Sequence, residues 1–114
     1  MARLTPPKRL KKRADFLRLA ARGKKIAKGG LVIQALREGA EPEPRVGFTA
    51  TKKLGNAVIR NRAKRRLREA ARLGLAGREL AGVELVLIAR RETGSLPFST
   101  LRRNLAKALD EALA

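Results

Sequence analysis

The sequence predicts an α/β fold with the element order α-β-β-α-β-α in a single domain, 1–114. Three observations predict it. Apolar residues recur at helical spacing in three stretches, three short runs read as strands, and segments rich in Gly, Pro or charge separate them. A chain of this length buries roughly two-thirds of its unfolded surface, enough for one compact core.

Residues 1–12 are basic, contain Pro6 and Pro7, and read as a flexible arm. Residues 13–22 predict a short helix with Ala14, Leu17 and Ala21 along its apolar side, closed by Gly23. Residues 31–37 predict a strand. Residues 38–44 (EGAEPEP) predict a loop in which Glu41 and Glu43 are ordinary solubilising acids. Residues 45–51 alternate: Val46, Phe48 and Ala50 face one way, Gly47, Thr49 and Thr51 the other. After Gly55 and Asn56, residues 57–73 predict a helix with Ile59, Ala63, Leu67 and Ala70 as its apolar stripe, its end marked by Gly74 and Gly77. Residues 83–90 (VELVLIAR) are apolar on both faces in their middle, which suits an interior strand. Pro97 opens a last helix, 98–113, with Phe98, Leu101, Leu105, Ala108, Leu109 and Ala112 on its core face.

The formal net charge is +18, and it is not spread evenly. Residues 1–28 hold 11 Lys and Arg against Asp15 alone, and residues 52–72 hold 9 against Glu69 alone; the remainder is balanced. Excess charge of this order destabilises a compact state until a polyanion neutralises it. Nucleic acid is therefore the first partner class, and an anionic membrane surface the second. No stretch supplies the ~20 apolar residues that a bilayer span needs, and no secretory signal is visible, so a cytoplasmic protein is expected. With neither cysteine nor histidine, disulfides and thiolate metal sites are excluded, and so are the commonest general base and zinc ligand.

The most informative stretch is 52–72, KKLGNAVIRNRAKRRLREAAR. Wound as a helix, it gathers Ile59, Ala63, Leu67 and Ala70 on one side and Asn61, Arg65, Arg68 and Arg72 on the other. Arg60 and Lys64 border the polar strip on one flank and Arg62 on the other. Arginine suits phosphate because its planar fork donates two parallel hydrogen bonds and stays protonated. Asn61 adds both a donor and an acceptor. A basic helix face is often merely solvated, but here Glu69 is the helix's one acid, so few i, i+4 pairs can neutralise it. Gly55 and Asn56 are placed to let the helix N-terminus face a phosphate.

The run KKLGNAVIRNRAKR, 52–65, closely resembles the signature of the bacterial ribonuclease P protein component. Arg60, Asn61 and Arg62 match the family's Arg-Asn-Arg core, and Lys64, Arg65 and Arg68 match the bases that follow it. RVGFTATKKLG, 45–55, resembles the strand leading into that helix, and RLKKRADF, 9–16, the family's N-terminal segment.

The resemblance implies an α+β sandwich, a central sheet flanked by helices. It also implies a left-handed β-α-β crossover around the Arg-Asn-Arg helix, against the right-handed rule obeyed by ~98% of such units. It implies a noncatalytic subunit that binds the catalytic RNA of ribonuclease P and the 5′ leader of precursor tRNA, assisting removal of that leader. The RNA-binding residues are then Lys52, Lys53, Arg60, Asn61, Arg62, Lys64, Arg65, Arg68 and Arg72. The leader cleft, between the first helix and the sheet, takes Phe16, Thr49 and Thr51. Family members often carry aromatics at the positions of Ala20, Leu31 and Gln34; this chain does not, which predicts a cleft that relies on charge and shape. No catalytic residue and no metal ligand is expected in the protein, whose two aspartates, Asp15 and Asp110, fall in separate predicted helices. Mg2+ is expected on the partner RNA, and neither a protein partner nor a membrane is required. A structural ribosomal protein or a general RNA chaperone would suit the charge alone equally well.

Overall fold

A computed structural model of the chain describes residues 8–40 and 42–114; the start of the basic arm and Glu41 lie outside them. The elements are β1 (Lys8–Arg9), α1 (Arg13–Arg22), β2 (Lys24–Lys28), β3 (Leu31–Leu36), β4 (Arg45–Thr49), α2 (Ala57–Leu75), β5 (Glu84–Ala89) and α3 (Phe98–Ala112), with short 3-10 turns at Lys52–Leu54 and Arg91–Gly94. The five strands form one sheet in the order β1-β4-β5-β3-β2. β4 and β5 are parallel neighbours joined through α2, the crossover for which the resemblance implies a left hand. β3 runs antiparallel to β5 and β2 to β3.

The predicted order is present, with two strands added. Residues 8–10 do not belong to a flexible arm: Lys8 and Arg9 pair in parallel with Arg45 and Val46, and Leu10 is buried. Arg9 also lies over the Phe48 ring, 5.8 Å from its centroid. β2 (KKIAK) forms a hairpin with β3 through Gly29 and Gly30, a Gly-Gly turn signal that strand periodicity alone does not reveal. Helix α2 continues through Gly74 to Leu75.

Helices α2 and α3 cover one face of the sheet. Leu31, Ile33, Val46, Leu85 and Leu87 meet Ala63, Leu67, Ala70, Leu101, Leu105 and Leu109 there in the main core. The alanines of α2 let its backbone come close to the sheet while their neighbours remain free for other work. On the opposite face a smaller cluster forms beneath α1, from Leu10, Leu19 and Val86 with Phe16, Leu36 and Ile88 packed against them. Gly47 makes this possible, because a Cβ there would stand 2.5 Å from Phe16 Cζ.

The inward side of α1 differs from the predicted one. Ala14, Leu17 and Ala21 are exposed, and Leu19 is buried. Charge decides the rotation. Glu84, at the start of β5, is 2% exposed and accepts a bidentate pair of 2.8 Å hydrogen bonds from Arg18. Arg45 donates to the same carboxylate at 3.3 Å and to Asp15 at 3.2 Å, and Arg18 donates to Asp15 at 3.1 Å. At the sheet's outer edge, Lys24 donates to the Glu111 carbonyl and Lys28 pairs with the Glu111 carboxylate, so β2 is latched to the end of α3.

The Arg18 hydrogen bond, with the Arg45 charge behind it, holds the Asp15 carboxyl below its ordinary value of 3.8. A group depressed in the folded state contributes stability that is present above its unfolded pKa and is lost as pH falls through the folded one. Asp15→Asn should therefore lose on the order of 1 kcal/mol at neutral pH. Its stability should also fall less steeply than wild type below pH 3.8, as read by chemical denaturation across an acid series.

Candidate RNA interface

The register separates the two ends of the sheet. Arg45 stands beside Glu84 at one end and Thr49 beside Ile88 at the other. The first end is the ion-paired one just described, with Glu38 also paired to Arg22 and Arg18. At the second end the chain leaves β4 into the Lys52–Leu54 turn and then into α2. Gly55, between them, has φ +142°, a conformation that favours glycine, and a Cβ on it would also crowd Ile59 Cδ1 at 2.8 Å. Asn56 caps α2 by accepting from the Ile59 N–H at 3.0 Å.

α2 presents Val58, Asn61, Arg62 and Arg65 on one outward row, all exposed, at i, i+3, i+4 and i+7. Arg60, Lys64 and Arg68 flank this row and are half-buried. Lys52 and Lys53 are exposed at its head. Among the described residues, none of these cations is ion-paired with a carboxylate: the carboxylates that form ion pairs are held by Arg18, Arg22, Arg45, Lys28, Arg78 and Arg72. Uncompensated charge at this density, on a rigid helix, is what a polynucleotide backbone neutralises.

Two residues of the row behave differently from expectation. Arg72 is paired with Glu69, which holds the Glu69 carboxyl down and the Arg72 guanidinium more firmly protonated, so the row's C-terminal end is neutralised. Arg62 donates through Nε to the Gly94 carbonyl at 3.2 Å, which anchors the stem and leaves the two terminal nitrogens of its fork for another acceptor. Ile59, read as core, lies in the first turn of α2 and is 47% exposed. Arg66 was not among the predicted residues; it donates to the Leu96 carbonyl and lies over Phe98, 5.8 Å from the ring centroid. Phe98 itself packs on the main core.

Phe16 and Thr49 come to one face: the ring lies over Gly47, two residues before Thr49 on the same side of β4. Thr51 does not join them on the strand. It stands exposed beyond the strand's end, its carbonyl accepting from Leu54 N–H in the 3-10 turn. Gln34 is buried on the α1 side and Ala20 is exposed; neither offers an aromatic surface.

A family model described as Ribonuclease P matches residues 4–113. The chain belongs to the ribonuclease P protein family. The ribonuclease P protein component of Gluconacetobacter diazotrophicus is 51% identical over 104 residues, covering 91% of this chain and 90% of that one. That of Paramagnetospirillum magneticum is 50% identical over 105 residues, covering 89% and 79%. Among solved structures, a mutant RNase P protein of Staphylococcus aureus superposes with a TM-score of 0.79 at 30% identity, over 92% of this chain and 87% of that one. The RNase P protein of Thermotoga maritima gives 0.74 at 29%, over 91% and 96%. The protein is thus the accessory subunit of a tRNA-processing ribonucleoprotein endonuclease, and its partner is the ribonuclease P RNA. The ribosomal-protein and chaperone readings give way to this one.

Glu69 is the only acid in α2, so its removal tests whether the charge of this helix bears on RNA affinity. Glu69→Gln should bind ribonuclease P RNA more tightly than wild type, with a steeper dependence of log K on log salt, by up to ~0.7 for one additional neutralised phosphate. Filter binding across a salt series reads both.

Proposed function

We propose that the outward row of α2, with Lys52 and Lys53 at its head, is the surface that binds the catalytic RNA, and that the sheet face beside α1 takes the 5′ leader of precursor tRNA. One observation carries the first half: Arg60, Arg62, Lys64, Arg65 and Arg68 make no ion pair among the described residues, although the chain's carboxylates pair readily elsewhere. The second half is supported by Phe16 and Thr49 sharing one side of β4, next to the cationic end of the sheet.

In this reading the protein contributes no proton transfer and no metal ligand. Hydrolysis belongs to the RNA, and the Mg2+ it uses is held by RNA phosphate oxygens, hard ligands suited to that ion. The subunit acts by screening repulsion between two polyanions and by fixing the leader relative to the cleavage site. Assembly takes place in the cytoplasm and needs no membrane and no second protein; no described helix is long and apolar enough to cross a bilayer.

Arg60→Ala, Arg62→Ala and Arg65→Ala combined should weaken binding to the catalytic RNA and lower the magnitude of the salt slope by ~2, or ~0.7 for each phosphate no longer neutralised. An unchanged slope would remove these side chains from the interface. Phe16→Ala should narrow the affinity gap between precursor and mature tRNA about fivefold, since a base stacked on an aromatic contributes ~1–3 kcal/mol. If both substrates weaken equally, Phe16 serves only the small core.

A further inference from the structure

The charged surface of α2 begins with an apolar residue. Val58 is 76% exposed, the most exposed of the large hydrophobic side chains among the described residues, and Ile59 beside it is 47% exposed. Val58 shares its row with Asn61, Arg62 and Arg65, so whatever covers those three also covers Val58. Lys52 and Lys53, in the turn that precedes the helix, are exposed too. The patch is held in place: Asn56 caps the turn through Ile59 N–H, and Ile59 is wedged against Gly55.

We infer that Val58, supported by Ile59, packs on the apolar face of an unstacked base of the partner RNA, at the point where the phosphate-binding row of α2 begins. The inference rests on the proposed RNA surface of α2 and deepens it. Phosphate cannot be the group opposite Val58, because an aliphatic side chain would strip its water and return no hydrogen bond. A second copy of this chain is opposed by a net charge of +18 and by the lysines and arginines surrounding the patch. The ribonuclease P RNA, the partner of this family, offers both halves of the match, an anionic backbone for the cations and exposed base faces where a strand loops or bulges. Cations then fix the register of the RNA while the valine selects an unpaired nucleotide over continuous duplex.

The test measures the affinity of wild type, Val58→Ala, Val58→Thr and Val58→Lys for the ribonuclease P RNA across a salt titration. The arginine triple variant runs alongside. Val58 is exposed, so all three single variants should melt as wild type does, and a lower melting temperature in them would show that it serves the fold instead. Val58→Ala and Val58→Thr should bind about threefold to tenfold more weakly with the salt slope unchanged, the signature of weakened apolar packing. Val58→Lys should bind no tighter than wild type despite its added charge. Affinities of the Ala and Thr variants within about twofold of wild type would overturn the inference. So would a tighter Val58→Lys with a slope steeper by ~0.7, which would place phosphate at this position. If the triple variant binds normally, α2 is not the RNA surface and both readings fall. If the triple variant fails while Val58→Ala binds normally, only the apolar packing falls.

Discussion

Glu84 is a carboxylate taken out of water at the start of an interior strand, and the arrangement of the molecule follows from how it is satisfied. A buried carboxylate is tolerated only when opposite charge and hydrogen bonds reach it together, and removing one partner leaves a penalty of several kcal/mol, about 3–5. Arg18 and Arg45 answer that demand from α1 and β4, and Asp15 ties the two arginines together. Helix α1 is thereby drawn to the ion-paired end of the sheet, and Phe16 settles over Gly47. Asp15, Glu38 and Glu84 pair there with Arg18, Arg22 and Arg45, and among the described residues no carboxylate forms an ion pair with the cations at the head of α2.

Helix α2 carries two roles on opposite sides. Its inner side is mostly small, with Ala63, Ala70 and Ala71 buried around Leu67, so it packs closely without needing a wide apolar stripe. The outer side is then free to be almost wholly polar. Its arginines are not equivalent. Arg62 and Arg66 brace the Arg91–Gly94 turn and the residues after it through backbone carbonyls, Arg72 answers Glu69, and Arg65 is exposed with no ion pair among the described residues. A fork anchored at Nε loses less freedom when it meets a phosphate than a free one does.

Much of this was legible in the sequence. Helix α1 has the predicted bounds, and β5, α2 and α3 fall within two residues of theirs, because each has either a strong period or a clear breaker at its ends. The cationic strip was legible for the same reason, since a helical projection needs only local spacing. The face that α1 buries was not. Leu17 and Leu19 compete on a ten-residue helix, and the choice is made by Glu84 and Gly47, far away in the chain. β2 was hidden because only Ile26 packs on the core, with lysines around it. The pairing of Arg72 required knowing that its i−3 neighbour, rather than an i−4 one, would reach it.

The lysine-rich edge strand has a bearing on the life of the subunit before assembly. β2 ends the sheet with a row of backbone groups able to recruit another strand, the usual seed of fibrous aggregates. Charge along this strand repels a like edge, and the two lysine latches onto the end of α3 keep the ribbon from peeling into a template. The same lysines that add to the chain's positive charge thus also close the one long open edge of the sheet against a second copy.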